Sequence, residues 1–70
     1  MVNEILYMEA RLFRAFCNSK QMTGKEANGL FNDYGIWDYI ETCYDSLHTC
    51  GDEFIMNDID EILSKKGVIL

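Results

Sequence analysis

The side chains with the most chemistry are three cysteines and one histidine: Cys17, Cys43, His48 and Cys50. A zinc site needs four ligands converging at roughly tetrahedral angles. Cys43 and His48 are five residues apart, about 140° round a helix at about 100° per residue, so one rigid helix does not aim both at one ion. No CxxC pair is present, and three is an odd count. The pattern fits free thiols in a reducing compartment, two in the core and one at an edge. A Cys–His nucleophile needs its two groups within hydrogen-bond reach and a third group to orient them, and the spacing supplies no such set. Tyr44 and His48, four apart, share one helical edge with Trp37. They form either a binding edge or a structural closure of the helix end, with His48 bonded to a carbonyl near Gly51 or Asp52. Glu9 is the other anomaly, because helical spacing places it between Ile5 and Phe13 inside an apolar arc. An ionised carboxyl there must be paired, hydrogen-bonded, protonated or able to reach water. Asp58-Ile59-Asp60-Glu61 lacks the twelve-residue spacing and central glycine of a calcium loop. It suits the positive end of a helix dipole better. On these grounds no catalytic, metal or cofactor residue is assigned, and an enzyme is not expected.

The elements that position these groups read as helices. Nearly half of the 70 residues are apolar, enough for one small domain over 1–70. The chain has no proline, no internal repeat and no low-complexity stretch. Ile5, Met8, Leu12 and Phe16, widened by Leu6, Phe13 and Cys17, give a first helix from Met1 to about Gln21, with Asn3 as its cap. Thr23-Gly24-Lys25-Glu26 is a capping box that opens a second helix. Ala27, Leu30, Phe31 and Tyr34 line its inner face up to Gly35, and Gly29 weakens it or marks close approach of another backbone. Gly35 to Gly51 is expected to be one central helix with Ile36, Ile40, Cys43 and Leu47 inward and Asp38, Glu41, Thr42, Asp45 and Thr49 outward. Gly51 would be its C-cap. Asp52 to Met56 is expected to be a short extended connection. Asn57 or Asp58 then caps a last helix with Ile59, Ile62 and Leu63 inward, stopped by Gly67. Val68-Ile69-Leu70 would dock on the core or on a second chain.

The segment from Thr23 to Leu63 resembles a family of very short bacterial proteins catalogued as a domain of unknown function. Thr23-Gly24-x-Glu26, Leu30-Phe31-x-x-Tyr34-Gly35, Asp38-Tyr39-Ile40, Tyr44-x-x-Leu47-His48-Thr49-x-Gly51 and Asp58-Ile59-Asp60 carry that resemblance. It implies a small cytosolic helical protein without an established activity. It also implies a partner-binding role for members encoded beside toxin-like proteins, and no site residue can be carried over.

The fold expected is all-α: a compact bundle of three main helices plus a short fourth at the C-terminus. The expected core is Leu12, Phe13, Phe16, Leu30, Phe31, Tyr34, Ile36, Ile40, Cys43, Leu47, Phe54, Ile59 and Ile62. No apolar run approaches a bilayer span and no basic-then-apolar leader opens the chain, so a cytosolic protein is expected. A formal charge of −6 argues against phosphate backbones. A helix-turn-helix built from the second and central helices would present Asp38, Glu41, Thr42 and Asp45 where bases need Arg, Lys, Asn or Gln. The expected function is a non-enzymatic protein-interaction module, partner-neutralising and antitoxin-like. Its binding residues would be Trp37, Asp38, Glu41, Tyr44, Asp45 and His48, and its partner a protein, a basic one in particular, with self-association as a further mode. The alternatives are a helix-turn-helix-like nucleic-acid regulator and a small metal-sensing or enzymatic domain.

Overall fold

Local signals set the first two helices. In this computed structural model, which describes residues 3–69, Asn3 Oδ1 accepts the amides of Ile5 (2.9 Å) and Leu6 (3.3 Å) and starts α1 at Glu4–Lys20. The expected Met1 start lies outside the described residues. Gln21, in the left-handed region at φ 53°, turns the chain out of α1. The capping box forms as read. Glu26 N–H donates to Thr23 Oγ1 (3.2 Å), Thr23 N–H donates to Glu26 Oε1 (3.1 Å), and α2 runs Gly24–Asp33. Gly35 then adopts φ 70°, a turn that favours a residue without a Cβ.

The central helix is not continuous. α3 covers Ile36–Thr42 and α4 only Tyr44–Leu47. Cys43 sits between them at φ −97°, ψ 10°, outside the helical well, and both Ser46 and Leu47 amides donate to its carbonyl. The run Thr42 to Ser46 explains the break. Thr, Cys, Tyr, Asp and Ser are all weak helix formers, and Asp45 and Ser46 side chains compete for backbone bonds.

The last helix, α5, starts early and is long, at Asp52–Lys65. Gly51 is its N-cap residue rather than a C-cap, and the expected extended connection is its first turn. Ile55, Ile59 and Leu63 are fully buried at spacings of four, one unbroken stripe that a start at Asn57 would cut. Asn57 and Asp58 therefore lie within the helix, and the expected short fourth helix is a full element. Gly67 at φ 85° closes it, with Gly67 N–H donating to the Ser64 carbonyl and Val68 N–H to that of Leu63, a Schellman pair.

All secondary structure among the described residues is helical. The core is Met8, Leu12, Phe16, Ala27, Phe31, Ile36, Ile40, Leu47, Ile55, Ile59 and Leu63. Phe13, Leu30, Tyr34, Cys43 and Ile62 are half-buried against it. Two expectations fail: Phe54 is 58% exposed on α5, and Leu6 is 61% exposed on α1. Val68 packs against the core and Ile69 projects into solvent, while Leu70 lies outside the described residues. Among the described residues no helix is long and apolar enough to cross a membrane.

Candidate functional site

The site grows from the seam where α1 meets α3 and α4. Phe13 stacks on Trp37 with ring centroids 5.3 Å apart and planes 26° apart. Tyr44 donates its hydroxyl to Glu4 Oε2 at 3.0 Å. Moving down α1 from Phe13 to Glu4 thus moves up α3 and α4 from Trp37 to Tyr44, so the seam is antiparallel. One turn from Phe13 is Glu9, and one turn from Trp37 is Glu41. The register therefore sets Glu9 against Glu41.

Glu9 is buried at 7% exposure, while Glu41 is exposed. Burial raises the Glu9 pKa above the ordinary carboxyl range, and the charge and hydrogen-bonding of Glu41 raise it further. No hydrogen bond or ion pair from a basic side chain reaches either carboxyl among the described residues. The three ion pairs among the described residues go elsewhere. Arg11 holds Asp52 through two bonds of 3.0 Å, Lys20 holds Asp60 at 3.1 Å, and Lys65 holds Glu61 at 3.1 Å. All three acids lie on α5. Asp38, Glu41 and Asp45, exposed along α3 and α4, have no ion pair among the described residues.

The six residues singled out from the sequence divide between places. Trp37 is half-buried in an aromatic cluster with Phe13 and Phe31, and its indole N–H donates to Asn28 Oδ1 at 3.3 Å. Tyr44 and His48 stay together, their rings 5.4 Å apart. They line an open groove of about 390 Å³ with Glu4, Tyr7, Met8 and Arg11. Accepting from Tyr44, Glu4 pushes the phenol pKa upward. The Arg11 guanidinium lies 5.6 Å from the Tyr7 ring centre. Asp38 and Glu41 on α3 and Asp45 on α4 are exposed and do not line this groove. Arg11 was invisible as a site residue, because its partner Asp52 is 41 positions away.

Two further polar side chains tie elements together. Tyr39 donates its hydroxyl to Asp58, and burial first, then Asp58, holds that phenol above its ordinary range. Lys66 Nζ donates to the Tyr34 carbonyl at 3.1 Å, closing the end of α2. Cys17, Cys43 and Cys50 are free and half-buried, and Cys50 Sγ lies 3.5 Å from the Ser46 carbonyl oxygen. Among the described residues no group of three or more His, Cys, Asp or Glu side chains converges as a metal site.

Among known proteins, the family described as "Protein of unknown function (DUF3791)" matches residues 8–66. That match takes in most of α1, which the motif resemblance from Thr23 to Leu63 did not. No curated protein and no solved structure matches the chain. With its match running from within α1 to the end of α5, the chain belongs to the DUF3791 family of proteins of unknown function.

Proposed function

We propose that the chain is a non-enzymatic interaction module that binds a basic segment of a protein partner on the acidic α3–α4 face. The observation that carries this reading is the routing of the ion pairs. Arg11, Lys20 and Lys65 neutralise acids of α5, whereas Asp38, Glu41 and Asp45 are exposed with no cation among the described residues. Such a face attracts a complementary surface and steers its approach. Tyr44 and His48 at its edge offer a polar–aromatic rim. The alternative, a nucleic-acid-binding regulator, needs basic side chains on α2 and α3, and Asp33, Asp38 and Glu41 are exposed there.

A tagged pulldown from the producing cells tests this, comparing the native protein with an Asp38→Asn/Glu41→Gln/Asp45→Asn variant. A stoichiometric protein captured by the native chain at low salt, and lost from the variant, supports the reading. No stoichiometric partner, or equal capture by the variant, sinks it. Steeply salt-dependent binding of duplex DNA would favour the alternative.

A further inference from the structure

The outward face of α1 carries charge opposite to that of α3 and α4. Tyr7, Ala10, Arg11, Arg14, Ala15 and Asn18 line an open groove of about 350 Å³ there. Their spacing makes it two consecutive helical holes. Tyr7, Ala10, Arg11 and Arg14 stand at i, i+3, i+4 and i+7, and so do Arg11, Arg14, Ala15 and Asn18. Four residues in that pattern surround the space that receives one side chain of a facing helix. Each hole has one small residue, Ala10 or Ala15, among longer ones. Among the described residues no carboxylate lines the groove. Arg11 and Arg14 are the chain's two arginines. Arg11 is held by Asp52, while Arg14 is exposed with no ion pair among the described residues.

We propose that this groove docks a second copy of the chain, which enters with its Asp38–Glu41–Asp45 face. The proposal rests on the acidic-face reading and names the basic segment bound there as α1 of another copy. Charge complementarity selects the occupant. Asp38, Glu41 and Asp45 are exposed at i, i+3 and i+7, the same spacing as Arg11, Arg14 and Asn18. Laid together in either direction, the two strips put Arg14 against Glu41 in the middle. A guanidinium and a carboxylate meet there through paired, charge-assisted bonds. Thr42, exposed beside Glu41, is small enough to enter a hole. Asp38 and Glu41 share α3, whereas Asp45 lies past the break at Cys43, so the first two acids carry the contact. The contact is heterologous. One α1 face and one acidic face stay free at the ends, and the assembly grows past two chains unless a ring closes.

A contact this small is weak, so the test follows the mass of the full chain by light scattering over a rising concentration series. At about 0.1 M salt a screening length of about 10 Å damps repulsion between chains of formal charge −6 and spares contacts at ion-pair distance. The native chain should exceed the mass of one chain there, and about 1 M salt should bring it back. Arg14→Glu and Glu41→Arg should each weaken association about tenfold, because each sets like charges face to face. An equimolar mixture of the two variants should recover it, since each reversed charge then meets its complement on the other chain. No recovery in the mixture, with both variants folded by far-UV circular dichroism, would overturn the proposal. Loss in Arg14→Glu with Glu41→Arg unaffected would overturn it in favour of α1 packing on α1. Association indifferent to both substitutions would overturn it in favour of the exposed Phe54 and Ile69. A native chain that stays monomeric throughout would also overturn it. A different basic protein captured through Asp38, Glu41 and Asp45 would then leave the acidic-face reading standing.

Discussion

Phe31 and Phe54 make opposite predictions from the same residue type. Phe31 is fully buried and touches three aromatic rings: Phe13 at 5.3 Å, Phe16 at 5.1 Å and Trp37 at 4.8 Å. Removing such a ring costs about 3–5 kcal/mol through lost burial and an unfilled cavity. A domain of this size has a total stability of roughly 4–10 kcal/mol, so Phe31→Ala should leave little of the folded state. Phe31→Leu keeps an apolar group but loses the ring contacts, each worth about 0.5–1.5 kcal/mol. A loss of about 1–3 kcal/mol is expected, spread over three pairs that do not add independently. Phe54 is 58% exposed, and Phe54→Ala should fall within about 0.5 kcal/mol of the native chain. Urea unfolding followed by far-UV circular dichroism is the assay, because Trp37 fluorescence would change with Phe31 directly. With a slope of about 1 kcal/mol/M for a chain this short, Phe31→Leu moves the midpoint by about 1–3 M. Phe54→Ala should barely move it. A Phe54→Ala loss as large as that of Phe31→Leu would refute the placement of α5, because it would put Phe54 in a core.

Three further perturbations follow from single positions. Gly29 lies inside α2, and a Cβ added there meets nothing within 4 Å. No backbone approaches it closely, so Gly29→Ala should stabilise by about 0.5–1 kcal/mol, read as a rise of a few degrees in Tm, and a fall would contradict the open surroundings. Gly35→Ala must hold an alanine at φ 70° and should cost about 1–2 kcal/mol in the same scan, with an unchanged Tm as the contrary result. The Glu9 pKa is raised by burial and then by Glu41, so its stabilising contribution is full at pH below the unfolded-state value and is lost as pH rises through the folded one. Glu9→Gln should therefore match the native chain in acid and exceed its urea midpoint at neutral pH, whereas a lower neutral midpoint would contradict an unpaired buried carboxyl.

The legible parts of the fold were those written within a few residues. Asn3, the Thr23–Glu26 box and Gly35 each act on their own neighbours, and α1 and α2 follow from them. The break at Cys43 was hidden because a helical wheel assumes a constant period, and one residue at ψ 10° resets it. The signal was present in the weak helix formers from Thr42 to Ser46. Gly51 suits either a C-cap or an N-cap position, and choosing the first displaced the start of α5 and sent Phe54 inward. The Ile55–Ile59–Leu63 stripe decides the matter. Glu9 stood out as an anomaly from spacing alone, yet its partner did not, because Glu9 and Glu41 meet only through the register of α1 on α3. The same register separates Trp37, packed with Phe13 and Asn28, from Tyr44, which reaches Glu4 at the other end of α1.

A partner that binds the exposed acids of α3 and α4 must cover them. The most direct measurement is amide hydrogen exchange on the chain alone and with its captured partner bound. Slowed exchange is expected to be concentrated on Trp37 to His48, with little change along the outer face of α5 near Phe54. Slowing confined to α5, or to the Val68–Ile69 tail, would contradict it.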